Sequence, residues 1–201
     1  MWLIYLSLLY ELVGIPVPSV ASTYQLFNSS GELSNKKSLL AKVRRWHPAV
    51  KFIFLLLPTA VGVIVYLLPL VQSIWPPFSE WLHFVFLLNH WLIILIGCSF
   101  AIIGRAIGLS AATIMHRQPE AEPDFSLKTQ GPFALTRNPI LVGMHITFIG
   151  LWLLFPSWEM GIGFILFAAN MHIRVQLEED FLIDRYGADF EAFIGKTKRY
   201  F

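Results

Sequence analysis

A short turn-rich segment followed by two apolar runs decides the fold of this chain. The segment is Gln130-Gly131-Pro132-Phe133-Ala134-Leu135-Thr136-Arg137-Asn138-Pro139, and it leads directly into the apolar run 140–155. The chain turns at Pro156-Ser157-Trp158 and continues as a second apolar run, 160–175. That run ends in the charged stretch Arg174-Val175-Gln176-Leu177-Glu178-Glu179-Asp180. This order predicts a helical membrane hairpin whose two polar ends return to the same membrane face.

The start of the first arm carries the signals of a helix N-terminus. Asn138 suits the N-cap position and Pro139 suits the first helical position. Pro156 ends the arm about 17 residues later, or ~26 Å, close to the ~30 Å of hydrocarbon in a bilayer. We expect the backbone N–H groups at Arg137 and Asn138 to be free. Together with the positive end of the helix dipole, they would suit an anion.

The composition places the chain in the membrane. Its 201 residues are 56% hydrophobic and 14% charged, with a mean hydropathy of +0.61, whereas soluble domains carry about 25% charged residues. The length fits a single membrane-embedded domain, 1–201. Within it, 1–109 holds the N-terminal spans and a basic loop, and 110–201 holds the cofactor segment, hairpin and tail. Cys98 is the only cysteine, so no internal disulfide forms.

The hydropathy pattern predicts an all-α, polytopic protein with about five transmembrane helices. Spans are expected in 1–21, 49–74 and 81–109, in addition to the two hairpin arms. The first span is interrupted by Glu11 and by glycine and prolines. The loop 22–51 is expected to be polar and contains a cluster of basic residues: Lys36, Lys37, Lys42, Arg44, Arg45 and Lys51. By the positive-inside rule this loop is cytoplasmic, so the N-terminus lies on the opposite side.

The remaining polar segments fall on the same predicted face. Residues 110–138 are expected to be polar and irregular. The tail 184–201 is expected to be short and amphipathic, with Gly187 as a left-handed helix cap and a basic, aromatic end at the membrane surface. The C-terminus is therefore cytoplasmic. Arg105 lies near this face and either reaches lipid phosphates or points into a pocket. No aromatic or glycine-rich RNA-binding pattern accompanies the basic loop, which indicates contact with membrane lipids rather than nucleic acid.

Two polar stripes mark the cytoplasmic end of the second arm. Asn170, Arg174 and Glu178 share one helical face at i, i+4 and i+8, and His172 and Gln176 begin a second stripe that includes Glu179. At least one stripe should face a polar cavity. The alternative is an ordinary ion pair between Arg174 and Glu178 at the interface. A site with carboxylates on one side and anion-binding amides on the other suits an amino-acid zwitterion.

Four motifs occur in a characteristic order in the C-terminal part of the chain. They are Leu127-Lys128-Thr129-Gln130-Gly131-Pro132-Phe133, Thr136-Arg137-Asn138-Pro139, Glu178-Glu179-Asp180-Phe181-Leu182 and Tyr186-Gly187-Ala188-Asp189-Phe190-Glu191-Ala192-Phe193. In order and spacing, residues 125–201 resemble the isoprenylcysteine carboxyl methyltransferase family. That family belongs to a wider group that includes the phospholipid N-methyltransferases.

The resemblance implies a helical membrane enzyme that binds S-adenosyl-L-methionine from the cytosol and takes a lipophilic or lipidated acceptor through a lateral opening. The implied cofactor-binding residues are Lys128, Gln130, Gly131, Arg137, Asn138, Pro139, His172, Glu178 and Glu179. Glu178 and Glu179 are expected to hold the amino-acid end of the cofactor. Arg174 and Glu179 are the implied catalytic residues, and Arg174 would orient a carboxylate on the acceptor.

Two positions depart from the family pattern, and several acceptors stay open. Asn138 replaces the histidine of the family's Arg-His-Pro motif, and Ile140 replaces the aromatic residue after the proline. A prenylcysteine-type carboxylate is the favoured acceptor, with a phospholipid amine, a small thiol or a quinol as alternatives. His145 and His172 are either bases for such a group or packing residues. The competing functions are an NADPH-dependent reductase of the sterol-reductase type and a scaffold or small transporter.

Overall fold

The helices found in the structure match the predicted all-α class. A computed structural model of the chain describes residues 36–54, 60, 67–68, 71–72, 74–75, 77, 91–116 and 127–200. Across these ranges no β-strand is present. Six helices have both ends within these ranges: α1 (Leu39–Arg44), α2 (Trp91–His116), α3 (Pro132–Leu135), α4 (Pro139–Leu154), α5 (Trp158–Tyr186) and α6 (Ala188–Lys196).

Two of these helices are long and apolar enough to cross a membrane. They are Trp91–Met115, within α2, and Trp158–Tyr186, while α4 is a shorter apolar helix. Large apolar side chains lie exposed on both, among them Trp91 at 69% and Ile165 at 66%, as expected of surfaces that face lipid. The predicted spans in 1–21 and 49–74 lie wholly or mostly outside the described residues. The count of five spans therefore stays a prediction.

Three predicted boundaries were wrong. The segment after 109 was expected to be irregular, but α2 continues to His116. The hydroxyl of Ser110 donates to the Ile107 carbonyl oxygen at 2.8 Å, so this polar side chain is satisfied within the helix. The second arm was expected to end near Val175, but α5 continues to Tyr186 because no glycine or proline interrupts 176–186. The predicted polar loop 22–51 contains α1, whose apolar residues are buried.

The length of α5 carries its polar stripes away from its apolar start. A helix of 29 residues is ~44 Å long, which exceeds the ~30 Å hydrocarbon core. Ser157 caps its beginning, because the Met160 amide donates to the Ser157 Oγ at 3.3 Å. Gly187 ends it with a φ of 54°, as the capping prediction required. The ψ of Gly187 is −125°, and α6 begins at the next residue.

Small residues bring α2 and α4 into backbone contact. A Cβ added at Gly104 would lie 2.5 Å from the Gly143 carbonyl oxygen, and one added at Gly150 would lie 2.5 Å from the Ala101 amide nitrogen. Gly97 faces Gly150 in the same way, at 3.0 Å from its carbonyl oxygen. We refer to these five residues as the glycine interface. Close approach of this kind is the usual means by which membrane helices associate, so the interface fixes α4 and the segment that precedes it.

The chain forms two compact units. One joins Met1–Asn89 to Phe155–Phe181, and the other joins His90–Leu154 to Leu182–Phe201. The glycine interface lies within the second unit. The prediction of a single domain over 1–201 stays a prediction.

In the first unit, α1 packs against the polar end of α5. Leu40 and Val43 of α1 form a buried cluster with Leu177. The Asp180 carboxylate accepts a hydrogen bond from the Leu40 amide at 3.0 Å, and the Ser38 Oγ accepts one from the Ala41 amide at 3.1 Å. These two bonds satisfy amides in the first turn of α1 that have no partner within the helix. Asp180 therefore attaches α1, which lies within the basic loop, to α5.

Replacing Asp180 with alanine is expected to release α1 from α5. A hydrogen bond to a charged group contributes about 1.5–3 kcal/mol, so the open state of α1 should become at least about tenfold more populated. Trypsin cleavage at Lys42 and Arg44, which tracks this opening, should accelerate by the same factor. The control is Asp189→Ala, which removes an exposed acid from α6. Equal cleavage rates in the two variants would contradict the proposed attachment.

Candidate functional site

The segment that begins the candidate site contains one strained turn. Lys128 is half-buried and without regular structure, and Gln130 is exposed. Gly131 then opens α3 with φ 62° and ψ −133°, a conformation open to glycine and closed to most other residues. A Cβ there would also lie 2.9 Å from the Ile114 Cδ1. Glycine is thus required at this position for two reasons, its backbone angles and the neighbouring side chain on α2.

Thr136, Arg137 and Asn138 bind the C-terminal tail; we call them the tail-binding triplet. The Thr136 hydroxyl donates to the Arg199 carbonyl oxygen at 2.9 Å, and the Asn138 Nδ2 donates to the same oxygen at 3.1 Å. The Arg137 guanidinium donates to the carbonyl oxygens of Ile194, at 3.3 Å, and Thr197. All these acceptors are backbone carbonyl oxygens, so these bonds do not depend on the identity of the tail side chains.

The expectation that the backbone amides of Arg137 and Asn138 are free was wrong. The Arg137 amide donates to the Lys198 carbonyl oxygen at 3.0 Å. The Asn138 amide donates to the Thr136 Oγ1 at 3.2 Å, in the local turn that threonine favours. The returning tail satisfies these amides, and nothing local in the sequence signals its position. Pro139 has no backbone amide hydrogen. Any amides at the start of α4 that could bind an anion therefore belong to the residues after Pro139.

The helix start at Pro139 is as predicted, but its cap is not a side chain. The Val142 amide donates to the Asn138 carbonyl oxygen at 3.0 Å, which makes Asn138 the N-cap residue by position. Pro139 is the first helical residue and is fully buried. The Asn138 side chain is directed to the tail instead of to the first turn. The cap prediction was therefore correct for the position and wrong for the side chain.

Three charged residues near the end of α5 are buried or half-buried. Arg174 is 4% exposed and Glu179 is 7% exposed, and Glu178 is half-buried. The charges of Arg174 and Glu178 attract each other one turn apart, and an Arg174 Nη lies 3.8 Å from the Met171 sulfur. An ion pair at an open interface would leave both groups hydrated. Burial of Arg174 favours the other alternative, a stripe that faces the protein interior.

Each of the two histidines has a hydrogen-bond partner within its own helix. The Gln176 amide nitrogen lies 2.8 Å from the His172 Nε2, and because an amide nitrogen only donates, this ring nitrogen accepts. The His145 Nδ1 lies 2.7 Å from the Leu141 carbonyl oxygen, to which it donates. Both contacts connect residues one helical turn apart. For His145 this agrees with the packing alternative, and the cofactor role of His172 stays a prediction.

Two buried polar groups add to the predicted set. Asn170 lies on the Arg174 face, and its Oδ1 is buried with no hydrogen-bond donor among the described residues. Asn170 was not among the predicted site residues. Its i, i+4 spacing from Arg174 was the sequence signal that could have identified it. Arg105 on α2 is buried, at 9% exposed. That agrees with the interior alternative for Arg105 rather than with reach to lipid phosphates.

The α5 face offers a donor set suited to a zwitterion. Oxygen acceptors on this face come from Asn170 and Glu178, and the guanidinium of Arg174 offers donors, while the Glu179 carboxylate belongs to the second stripe. An ammonium fits the oxygens and a carboxylate fits the guanidinium, with charge-assisted hydrogen bonds in both cases. The residues present therefore fit the amino-acid end of a molecule such as S-adenosyl-L-methionine.

The predicted site residues form two groups. Lys128, Gln130, Gly131, Arg137, Asn138 and Pro139 lie on one continuous segment of the second unit. His172, Arg174, Glu178 and Glu179 lie on one stretch of α5 in the first unit. That both groups line a single cavity stays a prediction, as do their individual roles.

Comparison with known proteins identifies the family. The family model for phospholipid methyltransferase matches residues 83–189, which is 107 of the 201 residues and includes both groups of predicted site residues. Searches of curated proteins and of solved structures found no match. Nothing in these comparisons supports a sterol-reductase type of enzyme. The match confirms the resemblance drawn from the motifs: the chain belongs to the phospholipid methyltransferase family, within the isoprenylcysteine/phospholipid methyltransferase group, and is a membrane methyltransferase.

Proposed function

We propose that the protein is a multi-pass membrane protein. It transfers a methyl group from S-adenosyl-L-methionine to a lipophilic acceptor at the cytoplasmic face of the membrane. The observation that carries the proposal is the family match over 83–189. It spans the turn-rich segment at Gln130–Pro139 and the acidic pair Glu178 and Glu179. The chemistry of the α5 face supports the choice of methyl donor.

The residues of α5 would hold the amino-acid end of the donor. Glu178 and Glu179 would accept hydrogen bonds from its ammonium. The family resemblance also assigns donor binding to Lys128, Gln130 and Gly131 of the turn-rich segment. When bound, S-adenosyl-L-methionine supplies a methyl group on a sulfonium, which is itself a good leaving group. The protein is then required mainly to position the reactants and exclude water.

Two acceptor classes are supported by different observations. The motif order favours a prenylcysteine-type carboxylate, and the buried guanidinium of Arg174 suits such a group. A carboxylate forms a methyl ester without losing a proton. The family match favours a phospholipid amine, which has to lose a proton before it attacks. The chemical stability of the product separates the two.

Replacing Glu179 with glutamine is expected to weaken binding of the donor. Loss of a charge-assisted hydrogen bond costs about 1.5–3 kcal/mol, or roughly tenfold to hundredfold in Kd. The measurement is saturation binding of tritiated S-adenosylhomocysteine to purified protein in lipid nanodiscs. The matched control is Glu191→Gln, which removes one exposed carboxylate from α6 and should leave Kd unchanged. Absence of saturable binding to the unaltered protein would overturn the proposed function.

The acceptor is identified with the methyl-tritiated donor. Nanodiscs with phosphatidylethanolamine and nanodiscs with an N-acetyl prenylcysteine are incubated in parallel with the protein. A carboxylate acceptor gives a methyl ester that releases volatile tritiated methanol in base. An amine acceptor gives a base-stable N-methyl lipid. Label in neither product, with donor binding intact, would direct the search to thiols and quinols.

A further inference from the structure

The C-terminal tail is attached to the segment that the proposed function assigns to the methyl donor. At least five hydrogen bonds connect the tail-binding triplet with residues 194–199, and their partners are 57 to 63 residues apart in sequence. Thr136 and Thr197 are buried at this contact. Residues 194–199 are therefore held by a segment that lies about 60 positions earlier in the chain.

The chemistry of the contact suits a structural attachment. The last carbonyl groups of a helix lack partners within it, and a cation near them is favourable. Arg137 meets this need at the end of α6, where it binds the carbonyl oxygens of Ile194 and Thr197. One Nη of the guanidinium carries two hydrogens, so this single nitrogen binds both carbonyl groups at once.

The attachment also fixes the turn-rich segment itself. The Thr136 amide donates to the Pro132 carbonyl oxygen at 3.2 Å, which closes α3. The Thr136 hydroxyl binds the tail, and α4 begins three residues later, at Pro139. At its other end the segment is held by α2, where Gly131 approaches Ile114. The segment therefore has two supports, α2 at Gly131 and the tail at Thr136.

We propose that Arg137 and Asn138 are positioning residues, which act on the methyl-donor site by fastening the C-terminal tail to segment 130–139. This rests on the proposed function for the identity of the ligand. The tail residues are then part of the site's framework, to which their backbone carbonyl groups contribute the acceptors. Thr136, which was not among the predicted cofactor-binding residues, belongs to the same device.

The test uses Thr136, because its replacement alters the attachment without touching a predicted cofactor contact. Thr136→Val keeps the shape of the side chain but removes its bonds with the Arg199 carbonyl and the Asn138 amide. Thr136→Ser restores the hydroxyl. The control is Thr113→Val on α2, whose exposed hydroxyl donates within its own helix to Leu109.

Two quantities are measured for each full-length variant in nanodiscs. The first is hydrogen exchange of the peptide that covers 194–201. The second is the pair of constants KM for S-adenosyl-L-methionine and kcat. For Thr136→Val we expect about tenfold faster tail exchange, since each lost bond contributes about 1 kcal/mol, and about a tenfold higher KM with kcat within about twofold. Thr136→Ser and Thr113→Val should match the unaltered protein in both.

The outcomes separate this inference from the proposed function. Faster tail exchange with an unchanged KM would overturn it, because the tail would then be attached but irrelevant to the donor. Unchanged tail exchange in Thr136→Val would overturn the attachment itself. If the unaltered protein shows no donor binding, the proposed function fails, while the exchange measurement still decides whether the triplet holds the tail.

Discussion

Replacing Gly104 with alanine is expected to lower the stability of the protein by about 1–3 kcal/mol, the range for added volume in a tightly packed site. The new Cβ would lie 2.5 Å from both the Gly143 carbonyl oxygen and the Thr147 amide nitrogen. Both are backbone atoms of α4, so they move only if the whole helix moves. The expected result is a shift of α4 away from α2, measured as a lower midpoint of thermal unfolding in detergent micelles.

Gly108 provides a matched control one turn further along α2. A Cβ at Gly108 would have the Ile140 carbonyl oxygen as its neighbour, at 3.9 Å, which is ordinary contact. Gly108→Ala should leave the unfolding midpoint unchanged or raise it, because alanine favours a helix over glycine by up to about 1 kcal/mol. That gain is common to both variants, so their difference isolates the steric effect. Equal midpoints would contradict the role of the glycine interface.

Replacing Arg174 with methionine is expected to destabilise the protein by about 1–3 kcal/mol, the cost of leaving a partly buried polar group without its partner. Arg174 is buried, and the attracting charge of Glu178 lies one turn along α5. The double variant Arg174→Met, Glu178→Gln should recover most of that stability, because no uncompensated charge remains. It should not recover methyl transfer, since the proposed contacts with donor and acceptor are both lost.

The measurement combines thermal unfolding with the tritium-transfer assay. The control is Arg185→Met, which removes an exposed arginine from the same helix and should cost at most about 1 kcal/mol. Full activity in the double variant would show that Arg174 serves only to balance Glu178. A single variant as stable as the control would show that the pair carries little energy.

Helix positions and starts followed from local signals in the sequence. Pro139 begins α4, and Gly187 has the positive φ that its capping role required. The apolar runs predicted the positions of α4 and of the apolar part of α5, because stretches of this composition have to avoid water. The helix ends were harder to predict. Continuation of α5 past Val175 depends on residues with good helix propensity that are also charged, and the change from apolar to polar residues concealed it.

The partners of the polar side chains could not be predicted from local sequence. Arg137 and Asn138 were recognised as a motif, but the acceptors of their hydrogen bonds lie about 60 residues away on backbone carbonyl groups. Backbone acceptors leave no signature in the side chains of the tail. In the same way, Asp180 was seen as part of an acidic stretch, whereas its partner is an amide in a segment that composition alone assigned to a loop.

The contact between Leu40 and Asp180 has a consequence for synthesis of the protein. The two residues are 140 positions apart, so at ~5–20 residues per second the ribosome needs roughly 7–28 s to produce the partner of α1. During that interval the basic segment has already emerged and its apolar residues have nothing to pack against. α1 completes its docking only when the acidic end of α5 has been made. Premature termination anywhere before Asp180 would therefore leave α1 undocked, which gives quality control a mark of incompleteness far from the break.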